Sequence, residues 1–221
     1  EATADLTWAL LLAVAREVVK SDGLLRAGAF EQWLPGGFLG ADVHGRTLGI
    51  VGLGRIGRAV ARRAAGFDMR VCYHQPRRLD GPREAQLGVE WLPLERLLAE
   101  SDFVSLHCPL SAATHHLMDA TRIAAMKPTA YLINLSRGGL VDREALEEAL
   151  AWGTIAGAGL DVFWEEPPDP HDPIFSYNVM ATPHIGGSTD LSMQGIVKGV
   201  VENIRRIEAR QIPLNCAQPQ T

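Results

Sequence analysis

Cysteine is scarce: the 221-residue chain has three, Cys72, Cys108 and Cys216. An odd, sparse count fits a reducing compartment better than a disulfide framework, so a cytoplasmic location is expected. Neither these cysteines nor the seven histidines stand at metal-ligand spacing, so no metal site is expected. Long hydrophobic runs are missing too. The most apolar stretch, "LTWALLLAVA" over 6–15, is closed by Arg16 and Glu17 and has no basic segment ahead of it. It is shorter than a membrane span and reads as a buried helix, so no membrane partner is expected. Positive charge is not in excess, since 21 Lys and Arg against 26 Asp and Glu leave a net charge of −5. That argues against nucleic acid as a partner, and the pair Arg77–Arg78 is too short to reverse it. Internal repeats are lacking, and the one biased segment, "EEPPDPHDP" over 165–173, reads as a surface loop.

What is present is enough apolar residue, 47% against 21% charged, to build a sizeable core and exclude disorder. The length suits one large domain or one domain with an appendage. Thr3 or Asp5 is expected to cap a helix running to about Lys20, with "SDG" at 21–23 as its stop. Residues 22–46 read as a long irregular arm with exposed Phe30, Trp33 and Phe38, a candidate for packing on another subunit. The chain opens at Glu1 in mid-helix by pattern, which leads to the expectation of a segment ahead of it.

From residue 47 the pattern alternates. Short apolar runs at 47–52, 69–74, 102–108, 130–135, 156–163 and 178–182 read as strands. Helical patterns fall at 55–66, 93–100, 119–126 and 142–153, and a long amphipathic one covers about 188–210. Buried strands separated by helices require crossovers, hence a doubly wound α/β fold of Rossmann type with a parallel sheet.

"GLGRIG" places Gly52, Gly54 and Gly57 between the first strand of that series and the helix after it. The first glycine makes the tight turn, the second lets backbone approach a pyrophosphate, and the third lets helix and strand pack closely. The N–H groups of Arg55 and Ile56 would face the phosphates at the helix N-terminus. The pattern points to dinucleotide binding, with a ligand-free glycine turn as the plain alternative.

Ligands in open parallel sheets sit beyond the carboxyl ends of the strands. Three polar residues fall there: Arg137 in "INLSRGGLVD", Asp161 in "GLDVFWEEPP" and His184 in "TPHIGGST". An arginine followed by two glycines can fork onto a carboxylate, or stand in solvent as loop arginines ordinarily do. Glu165 and Glu166 before prolines are ordinarily surface. His184 is either a loop histidine or a proton donor, which a neighbouring carboxylate would favour. His115 and His116, being adjacent, are expected on different faces, as packing or surface residues.

Taken together, "EATADLTWALLLAVAR", "GRTLGIVGLGRIGRAVARRAAGFDMRV", "LLAESDFVSLHCPLSAATHHLM", "MKPTAYLINLSRGGLVDREAL", "AGAGLDVFWEEP" and "TPHIGGST" resemble the D-isomer-specific 2-hydroxyacid dehydrogenase family over nearly the whole chain. The resemblance implies Arg137 as the substrate-binding arginine, His184 as the catalytic acid and base, and Glu166 as its carboxylate partner. It implies Asp161 as the residue holding the nicotinamide carboxamide, with Cys108, Pro109, Thr114, Gly186 and Gly187 also on the cofactor. It further implies a homodimer in which residues 1–46 embrace the partner. The family's chains carry about another hundred residues upstream, a domain's worth, forming most of a substrate domain. The expected division is therefore a dinucleotide domain over 1–187, and a C-terminal helix and tail over 188–221 that returns to the largely absent substrate domain.

The implied activity is hydride transfer between a nicotinamide cofactor and a small 2-keto or 2-hydroxy acid, glyoxylate or hydroxypyruvate first. D-3-phosphoglycerate oxidation is the alternative within the class, and a nucleotide-sensing corepressor-like module the alternative outside it. The choice of NAD or NADP turns on "VCYHQPRRLD". His74 stands where NAD-specific relatives commonly have an aspartate, and Arg77 and Arg78 follow within reach of a 2′-phosphate. The balance favours NADP, unless both arginines point into solvent or Asp80 curls back.

Overall fold

The computed structural model describes residues 1–32 and 39–216. Phe30 is 54% exposed; Trp33 and Phe38 lie outside the described residues. By contacts the chain divides into one compact unit over 3–186 and another from 187 onward.

In the first unit, helix α1 (Ala2–Ala15) is followed at once by α2 (Val18–Arg26). The break between them is Glu17, in the left-handed conformation at φ 49°. The expected stop at "SDG" does not operate: α2 runs through Ser21, Asp22 and Gly23, and an Asp22–Arg26 ion pair one turn apart supports it. The arm is thus helical as far as Arg26.

The remaining elements are β1 (Thr47–Val51), α3 (Arg55–Ala64), β2 (Arg70–His74), α4 (Gly81–Leu87), β3 (Val89–Trp91), α5 (Leu94–Glu100) and β4 (Phe103–Leu106). These lead on to α6 (Ala120–Ala124), β5 (Tyr131–Asn134), α7 (Arg143–Ala151), β6 (Gly157–Leu160) and β7 (Val179–Ala181). The seven strands form one sheet, in the order β3-β2-β1-β4-β5-β6-β7. All pairs are parallel, with Val51 opposite both His74 and Leu106. This is a doubly wound Rossmann-type sheet, with its order reversing between β1 and β4. α4 and β3 escape a reading by periodicity, since a three-residue edge strand shows no alternation.

Alternation along each strand sends side chains to two cores, one on each face. Leu48, Ile50, Val71, Tyr73, Phe103 and Ile133 pack with α1 and α3 on one side. Val51, Cys72, Val104, Leu106, Leu132 and Leu160 pack with α5, α6 and α7 on the other. Trp8 of α1 anchors the first core, stacking on Phe67 at 4.7 Å and donating its indole N–H to the Val60 carbonyl. With the central strands covered on both faces, the strand ends are where ligands are expected.

The second unit holds α8 (Asp190–Glu208), capped by the Thr189 side chain. Met193, Ile196, Val197, Val200, Ile204 and Ile207 form its exposed apolar stripe, as the sequence periodicity indicated. Among the described residues, no helix is long and apolar enough to cross a membrane.

Candidate active site

The glycine loop follows β1 at the point where strand order reverses. Gly52 has φ +96°, a left-handed conformation open to glycine, and a Cβ there would meet the Cys108 amide nitrogen at 2.7 Å. A Cβ on Gly57 would collide with the Gly52 carbonyl, so the third glycine sets how closely α3 meets β1. Gly54 caps α3 and has open space where its side chain would be. The first turn of α3 contains no acidic side chain, and its N–H groups, including those of Arg55 and Ile56, have no intrahelical partner. This cradle fits a pyrophosphate in shape and in charge.

A cleft of about 400 Å³ continues from the loop, lined by Gly52, His74, Pro76, Trp91, Cys108 and Thr114 among others. His74 hydrogen-bonds the Leu92 carbonyl through Nδ1 at 3.0 Å and leans on Trp91. Thr114 donates to the Pro109 carbonyl at 2.7 Å and closes the loop after β4. The Cys108 carbonyl accepts from Ser136 Oγ at 2.6 Å, tying that loop to the next strand's end.

Beyond β2, the Gln75 side chain bridges the site: its Oε1 accepts from Leu53 N–H at 3.2 Å and its Nε2 donates to the Arg77 carbonyl at 2.7 Å. The two arginines part company here. Arg78 is committed to a two-pronged pair with Glu84, Nε at 2.9 Å and Nη2 at 2.7 Å, and Tyr73 adds its hydroxyl to the same carboxylate. That pairing holds the Glu84 carboxyl below the usual carboxylate range, the Arg78 hydrogen bond being its main cause. Asp80 caps α4 through the Arg83 N–H rather than curling back to the cleft.

The second cleft, of about 680 Å³, brings together Arg137, Glu166 and His184. Arg137 follows β5, where Asn134 staples the turn by donating to the Arg137 carbonyl and accepting from Ser136 N–H. Gly138 is obligatory, because a Cβ would strike the Phe163 carbonyl. His184 Nδ1 lies 2.8 Å from Glu166 Oε2, and Glu166 Oε1 accepts from Phe163 N–H at 3.1 Å. The His184 hydrogen bond first, and the Phe163 N–H second, hold the Glu166 carboxyl below its usual range. Glu166, not its exposed neighbour Glu165, is the engaged acid.

His184 itself sits at φ +54°, a conformation that costs a non-glycine residue strain and persists only when its surroundings impose it. Asp161 imposes it. This carboxylate, 1% exposed, accepts from the Thr182 hydroxyl, Ile185 N–H and Gly186 N–H at 2.6, 2.8 and 2.8 Å. Gly186 is buried against it, and a Cβ there would lie 2.9 Å from Asp161 Oδ2. Gly187 opens the second compact unit.

Two residues that sequence reasoning set aside also line this cleft. His115 and His116 stack at 3.9 Å, on one side rather than on different faces, because His116 adopts φ +50° and folds the rings together. Adjacency excludes such stacking in helix or strand, so only the "HH" pair itself was available as a signal. Among the described residues, no group of three or more His, Cys, Asp or Glu side chains could hold a metal ion.

Residues 8–186 match the family model described as D-isomer specific 2-hydroxyacid dehydrogenase, NAD binding domain. The chain is 49% identical over 217 residues to a glyoxylate reductase of Korarchaeum cryptofilum, covering 97% of this chain and 65% of that relative. A glyoxylate reductase structure from Paecilomyes thermophila superposes with a TM-score of 0.86 at 36% identity, covering 96% of this chain and 63% of that one. An acyclic imino acid reductase in complex with NADPH and D-Arg superposes with a TM-score of 0.85 at 31% identity, over 98% of this chain and 67% of that one. This chain therefore spans slightly less than two thirds of the length of the glyoxylate reductases it matches.

Proposed function

The chain belongs to the D-isomer specific 2-hydroxyacid dehydrogenase family through its NAD-binding domain, and from that premise we propose that it carries the cofactor-binding and proton-transfer half of a reductase for small 2-keto acids. The observation that carries the reading is the His184–Glu166 pair, 2.8 Å apart, in one cleft with Arg137 at the carboxyl edge of the sheet. Glyoxylate and hydroxypyruvate are the favoured substrates, in keeping with the names of the relatives.

The nicotinamide cofactor, when bound, supplies the hydride. The chain's residues do the rest. The cradle of Gly52, Gly54 and Gly57 and the α3 N-terminus hold its pyrophosphate, and the cleft beside His74 and Trp91 takes the adenosine end. Arg137 orients the acid by its carboxylate. Glu166 fixes the His184 ring by bonding Nδ1, which leaves Nε2 to give a proton to the substrate carbonyl oxygen as it becomes a hydroxyl. In the oxidation direction the same nitrogen takes that proton back. Asp161 holds the His184 loop at this end of the sheet, and the absent side chain of Gly186 leaves room for its carboxylate.

NADP is the favoured coenzyme. Gln75 brings an uncharged amide where an acid would repel a 2′-phosphate, and Arg77 is the guanidinium left to receive one. The engagement of Arg78 with Glu84 assigns it to support rather than contact. The NADPH complex of the imino acid reductase is consistent with this choice. A homodimer is also favoured, on the exposed Val18, Val19, Leu25 and Phe30. A reducing, cytoplasmic setting accords with three free cysteines.

The test is oxidation of NADPH and NADH by a panel of 2-keto acids, with the family's substrate domain supplied ahead of Glu1. Turnover of glyoxylate or hydroxypyruvate supports the reading. Coenzyme binding without turnover of any keto acid would favour a sensing module instead.

A further inference from the structure

The 680 Å³ cleft contains three imidazoles, and among the described residues carboxylates engage two of them. His184 is held by Glu166, and His116 Nδ1 lies 3.1 Å from Asp142 Oδ2. The other oxygen of Asp142 caps α7 by accepting from Ala145 N–H, so that carboxylate is fixed from both sides. His116 is fixed further by its backbone N–H, which donates to the Gly139 carbonyl at 2.9 Å. The ring of His115 then lies on this immobilised ring, 22° from parallel. Among the described residues, no group forms a hydrogen bond with either ring nitrogen of His115. It is thus an oriented, exposed imidazole with both nitrogens unused, in the same cleft as the acid-binding arginine.

The backbone connects it to Arg137. Residues 116–118 run beside 139–142, with Met118 N–H donating to Leu140 and Asp142 N–H donating to Met118, each at 2.9 Å. Arg137 begins the short 3-10 turn at the head of that second segment. A Cβ at Gly139, between the two, would lie 3.2 Å from Leu110 and 3.7 Å from His115, so the glycine keeps the floor between arginine and imidazole low. Leu110 supplies an apolar flank. Leu110, Gly139 and His115 line the same cleft as Arg137 and His184, so this floor borders the space open to a substrate held by Arg137.

Resting on the proposed reductase activity, we infer that His115 is a specificity-determining residue that hydrogen-bonds an oxygen on C3 of the substrate, selecting 3-hydroxy-2-keto acids over 3-alkyl ones. The Asp142–His116 pair positions it. A site built to bond a hydroxyl discriminates against the analogue that lacks it, because the polar group is then left unpaired. One such bond is worth about a tenfold preference.

The experiment compares kcat/KM for hydroxypyruvate, pyruvate and glyoxylate in the parent and in His115→Phe, which keeps the stacked ring and removes both nitrogens. The substrate domain is in place throughout. The hydroxypyruvate-to-pyruvate ratio is expected to fall about tenfold, mainly through KM. Glyoxylate, having no C3, is expected to change little, and His115→Gln to restore part of the ratio. A second readout is independent of turnover: with oxidised coenzyme present, D-glycerate shifts the His115 imidazole NMR signals and glycolate does not. A ratio unchanged within twofold, or equal shifts from both acids, overturns the inference while leaving the reductase reading intact. A parent that reduces no keto acid removes that reading and this inference together.

Discussion

Asp161 Oδ2 and the backbone N–H of Gly186 are 2.8 Å apart, and that bond, with those from Ile185 and Thr182, decides where His184 stands. The strained φ of His184 is held by a buried anion that touches the chain on either side of it. An amide at position 161 keeps the size, but turns one acceptor into a donor facing donors. Asp161→Asn is therefore expected to cost about 1–3 kcal/mol of stability, and to lower turnover more than tenfold by releasing the loop. Chemical denaturation and steady-state kinetics check the two effects. A variant with parental values in both would assign the placement of His184 to other contacts.

The two arginines after β2 are expected to behave differently. Arg77→Ala is expected to weaken NADPH binding and leave NADH binding nearly unchanged, since the contact proposed for its guanidinium is to a phosphate that NADH lacks. Arg78→Ala lowers the melting temperature, because Glu84, buried beneath it, loses its two-pronged partner and keeps only Tyr73. Calorimetric titration with each coenzyme and a thermal melt separate the roles. An Arg78→Ala protein that melts normally but loses NADPH affinity would reverse the assignment.

His107 gives the fold a pH dependence. Burial pushes its imidazole down to about 4 from the ordinary 6.5, and its Nε2 is 2.8 Å from Ser105 Oγ. The unfolded chain therefore binds a proton that the folded chain refuses between those two values. Stability from this residue is full above about pH 6.5 and declines as pH falls toward 4. Urea midpoints measured across this range should fall less steeply with acid in His107→Gln than in the parent. Parallel curves would show that another group sets the acid limit.

Much of the architecture was legible because strand, glycine loop and helix each leave a distinct pattern. "GLGRIG" sits between a buried run and an amphipathic one, and Arg137, Asp161 and His184 each lie just past the carboxyl end of a strand. What escaped depends on single backbone angles and on contacts across space. Nothing in "AREVVKSDG" signals that Glu17 turns left-handed and that helix then resumes through the glycine. The left-handed angle at His116 stacks two rings that adjacency argues apart. The tie from Arg78 to Glu84 depends on α4, whose seven residues are too few for periodicity to declare. The threefold hold of Asp161 on its loop joins residues more than twenty positions apart, and spacing carries no trace of it.

In the proposed reaction His184 is the group that gives its proton to the substrate. The direct measurement is single-turnover oxidation of bound NADPH by glyoxylate in the parent and in His184→Gln, with coenzyme affinity measured alongside. The expected result is a fall of about two orders of magnitude or more in the hydride-transfer rate, with the dissociation constant for NADPH within about threefold of the parent's, a difference under ~1 kcal/mol. A loss of less than tenfold in that rate, with glyoxylate still reduced, would contradict the role of His184.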